Sequence, residues 1–576
     1  MNARDLAIAG VEPSAAADRG SSSVDAPLDR RWLWLLVASI VVGALVRLIG
    51  LDAKGVSHPE IYIPGLDLPP GISEPPPRRG FVETLAWHFR AEPHPVGYYM
   101  AMWAWTKLFG ASIVSIRLPE AILGALSVLA AYRLGALAYG RRAGVLAALL
   151  LSLHGFHVFW SQVARMYVPG AFLALVSTWL LLEMSRAERP KLAAELGYVL
   201  CVVAGAFTVE FFWIVLGMHI LWAALAERPS AKWQMSRAGY FQALAFMLSA
   251  PNLSHALMLA RADAAPPPTL DFLMQYFSFG FLFEHGAYTE ATWSLPVPLA
   301  LVLLVAAAFL LVRGLRVPTR EAAAHAALRP PSIWWLGLVA LAMCVAMLAI
   351  AAIADARNDA LAALAVVPAL AFVIPVIVAS VRPAIARVAP LEQLLRKHRN
   401  ATALVPMLAV VPTLVLFALS FNVALTAPRA FVMFVPYLLI VVAAGVLSLR
   451  AWPIVGAALL IVFAASTVVL RAVPISPRDY RGLAEAMNAR MEAGDVVFTP
   501  ARDWAYTPMF LYLDHRRLVA ANYAAALRRA PGSRVWVLSM LDQPPAAEMR
   551  SALAGYAVAG KVEALRANAV LYVPAR

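Results

Sequence analysis

Apolar runs of about 20 residues recur along almost the whole of this 576-residue chain, each long enough to cross about 30 Å of hydrocarbon as a helix. Backbone groups inside a bilayer must hydrogen-bond within their own segment, so such runs are read as helical spans. With 61% hydrophobic residues, the chain is expected to be a mainly α, polytopic membrane protein. Spans are expected near residues 32–50, 118–138, 143–160, 168–184, 194–208, 211–226, 239–256, 293–312, 332–354, 360–380, 402–424, 431–448 and 452–470, about 13 in all. An odd number puts the two termini on opposite sides.

The formal charge of +14 would suggest nucleic acid in a soluble protein. Here the basic residues lie in loops rather than in one patch, so they are read as topology signals, and no nucleic-acid partner is expected. With the N-terminus inside, the inner loops hold eighteen lysines and arginines, against four in the short outer loops (Arg165, Arg261, Arg357 and Arg429). Residues 51–117 then lie outside, and the moderately apolar piece Val96–Gly110, with Tyr98, Tyr99, Trp103 and Trp105, is read as an interfacial helix. A second outer segment, Ala260–Trp293, is read as a mobile loop or another interfacial helix, either a connector with a membrane-resting face or a substrate lid. Cys201 and Cys344 both fall in apolar runs, so no disulfide framework or thiolate metal site is implied.

Three parts follow: a disordered cytoplasmic tail at 1–31, a transmembrane domain at 32–472 carrying the outer loop 51–117, and a soluble α/β domain at 473–576 outside the membrane. The last rests on a helical stretch from Asp479 to Glu492 and strand-like runs at Asp495–Thr499, Arg534–Met540 and Ala569–Val573. No glycine-rich phosphate loop opens its helices, which leaves nucleotide binding without support.

No acidic or basic residue sits near the centre of an expected span, and no repeated halves are evident, which disfavours ion-coupled transport. Chemistry is therefore sought in the outer loops. In order along the chain stand His58-Pro59-Glu60, His94-Pro95-Val96-Gly97-Tyr98-Tyr99, Leu108-Phe109-Gly110, Ile116-Arg117-Leu118-Pro119, Tyr139-Gly140-Arg141-Arg142 and Ser161-Gln162-Val163-Ala164-Arg165-Met166-Tyr167. This order resembles the GT-C superfamily of glycosyltransferases, in the branch of protein O-mannosyltransferases and lipid A aminoarabinose transferases. The resemblance is dense over residues 50–185 and recurs more weakly at Ala427-Pro428-Arg429.

The resemblance implies transfer of a sugar from a polyprenyl-phosphate-linked donor to a lipid, glycan or protein acceptor, with inversion, on the outer face of a bacterial inner membrane. Such a reaction needs a carboxylate to take the acceptor proton, and cations to hold the departing phosphate. Arg, Lys or His can do the latter, so a metal is not obligatory, and no cofactor is expected beyond the polyprenyl-phosphate sugar donor. Family members usually show an Asp-Glu pair in the first outer loop. This chain has Pro59-Glu60, which makes Glu60 the expected base, with Asp67 in reserve, against the plainer alternative of a salt-bridged loop residue.

His94 matches the family position near the donor phosphate, and equally suits a helix start before Pro95. Arg165 and Tyr167 match the second outer loop, where Arg can hold a phosphate bidentately; an interface anchor is the alternative for Arg165. Arg429 is a further phosphate candidate or a snorkelling residue. Glu210, in a short outer turn, is read as a helix cap, and His58 either orients Glu60 or faces water. Two rival functions stand beside transfer: flipping of a lipid-linked substrate, and a non-catalytic assembly role in which the missing Asp marks a degenerate site.

Overall fold

The computed structural model describes residues 28–66, 80–90, 94–187, 189–226, 237–252, 297–319, 335–343, 345, 403–419, 428–472, 479–499, 504–514, 517–519, 522–540, 547–564 and 567–575. Most of the expected N-terminal tail, Asp67, the segment Ala260–Trp293 and the span near 360–380 lie outside these residues.

Helices follow the apolar runs. α1 (Arg30–Leu48) starts at Asp29, whose side chain accepts the Trp32 N–H. The loop after α1 carries α2 (Phe81–Arg90) and α3 (Val96–Phe109). Next come α4 (Ile113–Tyr139), α5 (Arg141–Ser152), α6 (Gly155–Trp160), α7 (Tyr167–Ser185), α8 (Leu192–Thr208), α9 (Phe212–Ala226) and α10 (Arg237–Ser249). Farther along are α11 (Val297–Arg316), α12 (Leu404–Leu419), α13 (Val435–Leu447) and α14 (Trp452–Ala472). Among the described residues four helices are long and apolar enough to cross a membrane: Arg30–Leu48, Ile113–Tyr139, Tyr167–Ser185 and Trp452–Arg471.

The run at 143–160 is not one helix but two, α5 and α6. The His154 ring accepts the His157 N–H at 3.4 Å, and Thr467 of α14 donates to the Leu153 carbonyl at 2.7 Å, so the groups freed by the break are satisfied. Gly155 permits this, since a Cβ there would lie 2.7 Å from the Ser466 carbonyl carbon. α4 and α5 form a tight antiparallel pair around Gly140, whose φ of 96° favours glycine. Their contact is small against small: a Cβ on Gly135 would come 3.0 Å from the Gly144 Cα.

Polar clasps hold the bundle in register. The Thr178 hydroxyl of α7 meets His219 Nε2 of α9 at 2.9 Å and the Tyr437 hydroxyl of α13 at 2.8 Å, while Tyr198 of α8 lies 3.3 Å from His219 Nδ1. At the end of α1, buried Arg47 donates to the carbonyls of Gly43, Leu151 and Ser152. Gln162 Nε2 caps the same end through the carbonyls of Val46, Arg47 and Ile49. This ties α1 to the turn that precedes α7.

Beyond the bundle, α15 (Tyr480–Asn488), α16 (Tyr523–Arg529) and α17 (Ala547–Ala552) accompany a five-stranded sheet of order β2-β1-β3-β5-β4. β1 (Val496–Phe498) runs parallel to β2 (Leu518–Val519) and β3 (Val535–Met540), and β5 (Ala567–Pro574) runs antiparallel to β3 and to β4 (Tyr556–Ala564). Buried Trp536 on β3 anchors it, with its indole N–H donating to Asp495 at 2.9 Å. This unit also reaches the loop after α1. Val56, Ile61 and Phe510 share one buried cluster, the Val56 N–H donates to the Tyr512 hydroxyl at 2.7 Å, and Arg481 donates to the Asp52 carbonyl at 2.7 Å.

Candidate active site

Ser57-His58-Pro59-Glu60 forms a short 3-10 helix, His58–Tyr62, in which Pro59 sits in the first turn and Glu60 reaches back to its cap. Glu60 Oε2 accepts the Ser57 N–H at 2.8 Å and the Ser57 hydroxyl at 3.0 Å. Both oxygens also take the Arg117 fork, Nε to Oε1 at 2.8 Å and Nη2 to Oε2 at 2.9 Å, and Oε1 accepts the Ala164 N–H at 3.0 Å. Glu60 and Arg117 are fully buried. Burial alone pushes the Glu60 carboxyl up, but Arg117 and the other donors hold it below the usual carboxylate value.

Arg117, in the second turn of α4, spends its remaining N–H groups on the carbonyls of Leu51, Lys54 and Gly55. One side chain thus gathers the loop that follows α1. The Ala164 bond adds the turn before α7, so Arg165 is delivered beside the 3-10 helix. There Arg165 Nη1 donates to the Pro59 carbonyl at 3.1 Å and the Tyr99 hydroxyl at 3.3 Å, and the Tyr167 side chain acts on the same guanidinium from nearby.

Arg165 Nη2 stands 3.2 Å from His94 Nε2. Arginine only donates, so in this network Nε2 accepts and the ring proton belongs on Nδ1, which lies 3.6 Å from Glu210 Oε1. His94 is the most open member of the group, with 21% of its side chain exposed against 6% for Glu210. Burial raises the Glu210 carboxyl, whereas His94 and Arg165 draw it down, leaving it below its ordinary value.

The approach of His94 to Glu210 depends on Gly97, because a Cβ there would lie 2.5 Å from the Phe207 carbonyl oxygen near the end of α8. Behind the cluster, the Tyr98 hydroxyl donates to Glu120 Oε1 at 2.6 Å.

The structure brings Glu60, His94, Arg165 and Tyr167 together. Arg429 stands half-buried on a separate 3-10 turn, Pro428–Phe431, and Asp67 lies outside the described residues. Glu60, the expected proton acceptor, has both oxygens occupied by protein donors. Glu210, expected as a helix cap, is instead the acid facing His94. Arg117 and Glu120 received no role from the sequence, although Arg117 belongs to the Ile116-Arg117-Leu118-Pro119 motif, and Tyr98 and Tyr99, expected as interfacial aromatics, are buried against the cluster. An arginine in the first turns of a long apolar helix was the available signal. Among the described residues no group of three or more His, Cys, Asp or Glu is set to hold a metal ion.

His94, Arg165 and Glu210 all fall in one stretch of chain with a recognisable relative. Residues 93–255 match the dolichyl-phosphate-mannose-protein mannosyltransferase family. The resemblance seen in the outer-loop motifs is thus met by an independent match over the segment that builds the cluster. No curated protein matches the chain.

Among solved structures, ArnT from Cupriavidus metallidurans bound to undecaprenyl phosphate is 14% identical at a TM-score of 0.38, over 94% of this chain and 98% of that one. The Archaeoglobus fulgidus oligosaccharyltransferase is 11% identical at 0.43, over 91% and 71%. Arabinofuranosyltransferase AftD from Mycobacteria is 13% identical at 0.41, over 96% and 40%. Likeness of this degree carries no conclusion about activity.

Proposed function

We propose that this chain is a membrane glycosyltransferase that moves a sugar from a polyprenyl-phosphate-linked donor to a lipid, glycan or protein acceptor. The observation that carries this is the coincidence of the family match at 93–255 with the cluster of Arg165, His94 and Glu210. Arg165 and Tyr167 would hold the donor phosphate, and the His94 ring, 3.2 Å from Arg165 and facing the Glu210 carboxylate, would add a second contact to the leaving group. Glu60 serves this site as a positioning residue, holding Arg117 and the Ala164 turn. Asp67, the reserve candidate of the same loop, would then act as base. The charge bias of the loops supports placing this end of the bundle, with the sheet domain that touches it, on the outer side of a bacterial inner membrane.

The occupied carboxylate of Glu60 favours one second reading, in which the chain binds a lipid-linked saccharide during envelope assembly without transferring it. Mass spectrometry of envelope lipids and glycans separates the two. Transfer requires a sugar modification present with the wild-type chain and absent both without the protein and with Arg165→Ala. Identical glycan and lipid profiles in all three would overturn it.

A further inference from the structure

The end of the bundle opposite the Glu60 cluster carries a second polar site. A cavity of about 610 Å³ opens between α4, α5 and α7, lined by Tyr132, Arg133, Leu137, Arg141, Trp179, Glu183 and Arg186 among others. Arg133 lies sixteen residues after Arg117 on the same helix, which places it about 24 Å along the axis at 1.5 Å per residue. It therefore cannot belong to the Glu60 cluster.

Three guanidinium groups face this cavity with one carboxylate. Glu183 is already paired with Lys191 at 3.2 Å, and Arg186 donates to the Leu137 carbonyl at 3.2 Å. Among the described residues no hydrogen bond or ion pair engages Arg133 or Arg141, and both side chains are exposed. The neighbouring Arg142 is occupied differently, lying 5.7 Å over the Trp32 ring. The walls are mixed in character: Ala136 and Leu137 are apolar, while Tyr132 and Trp179 are the amphipathic rings that settle at a membrane–water boundary. Basic pockets between spans, at the level of the headgroups, suit anionic lipid.

We propose that this cavity binds the phosphate group of an anionic membrane lipid, with Arg133 and Arg141 supplying the charge and the Tyr132–Trp179 side receiving the start of an acyl chain. The occupant is distinct from the donor substrate, since it sits at the other end of α4. Its consequence is structural: a bound headgroup bridges α4, α5 and α7 across the Gly140 turn, where two unpaired arginines otherwise repel.

The test uses the full chain in a neutral detergent, with binding followed by native mass spectrometry and by the shift in thermal unfolding. The probes are phosphatidylglycerol, phosphatidylcholine and inorganic phosphate. Saturable binding of phosphatidylglycerol, with a raised unfolding temperature, is expected for the wild type. The pair Arg133→Gln and Arg141→Gln should weaken it about thirtyfold, as two lost interactions near 1 kcal/mol each imply. The same loss of charge at Arg316→Gln and Arg450→Gln should leave it within about twofold, because that pair lies outside the cavity lining. Arg133→Lys with Arg141→Lys should retain most of the binding, which excludes misfolding as the cause of any loss.

Inorganic phosphate competing at equal concentration, with the same arginine dependence, would sustain the anion site but assign it to the free ion. Phosphatidylcholine binding as tightly as phosphatidylglycerol, or phosphatidylglycerol binding unaffected by the Arg133 and Arg141 pair, would overturn the proposal.

Discussion

Arg117 of α4 and Glu60 of the loop after α1 form a two-pronged ion pair, 2.8 and 2.9 Å, with neither side chain exposed. A buried pair gains little over an apolar pair of the same shape, but removing one partner strands the other charge, at about 3–5 kcal/mol. Glu60→Gln is therefore expected to lower stability by that order, not merely to silence chemistry, and scanning fluorimetry in detergent reads the effect. Adding Arg117→Met should recover part of the loss, since the stranded cation is then gone. Stability equal to wild type in Glu60→Gln would show that the pair is not fully buried.

The same pair has a pH signature. The folded-state pKa of Glu60 lies below its ordinary value, so its contribution is complete above the unfolded carboxylate value of about 4.3 and is lost as pH falls through the folded value. Unfolding temperature should fall on acidification below that range, and Glu60→Gln should flatten the fall. An equal acid slope in both proteins would mean that other carboxylates account for it.

Gly97 sets the distance between α3 and α8. Gly97→Ala places a methyl group 2.5 Å from the Phe207 carbonyl oxygen and 2.7 Å from the Phe207 Cβ, so α3 must retreat and carry His94 away from Glu210. A loss of about 1–3 kcal/mol in stability is expected, with transfer falling further than stability explains. Folded protein retaining full activity would place His94 outside the mechanism.

Much of the helical layout is legible because it rests on local signals. Apolar runs mark α1, α4, α7 and α14 directly, and Asp29 and Ser112 stand where N-caps belong. The break between α5 and α6 escapes such a reading, because it is stabilised by Thr467, more than three hundred residues away. The site divides in the same way. His94 and Arg165 are recognisable from the order of motifs, whereas the duty of Glu60 depends on Arg117 and Ala164, which no spacing rule connects to it. An acid in a loop motif looks the same on paper whether its oxygens face a substrate or five protein donors.

Arg165→Lys tests the fork rather than the charge. A lysine keeps one cation but cannot reach the Pro59 carbonyl, the Tyr99 hydroxyl and the His94 ring together, as the guanidinium does. Transfer should drop about a hundredfold, the scale of one lost transition-state donor, while the unfolding temperature moves little. A lysine variant as active as wild type would reduce Arg165 to a point charge or a bystander.

Tyr512→Phe probes the link between the sheet domain and the loop. The phenol oxygen accepts the Val56 N–H, one residue before the Ser57 cap of the 3-10 helix, so its loss leaves that N–H without its partner at a cost of about 1–3 kcal/mol. The aromatic ring remains, and with it most of the packing. The expected result is a loop whose amide hydrogens between Gly55 and Ile63 exchange faster, with slower transfer at unchanged overall fold, followed by hydrogen–deuterium exchange and product formation together. Exchange in that segment unchanged from wild type would show that Arg117, not the sheet domain, holds the loop alone.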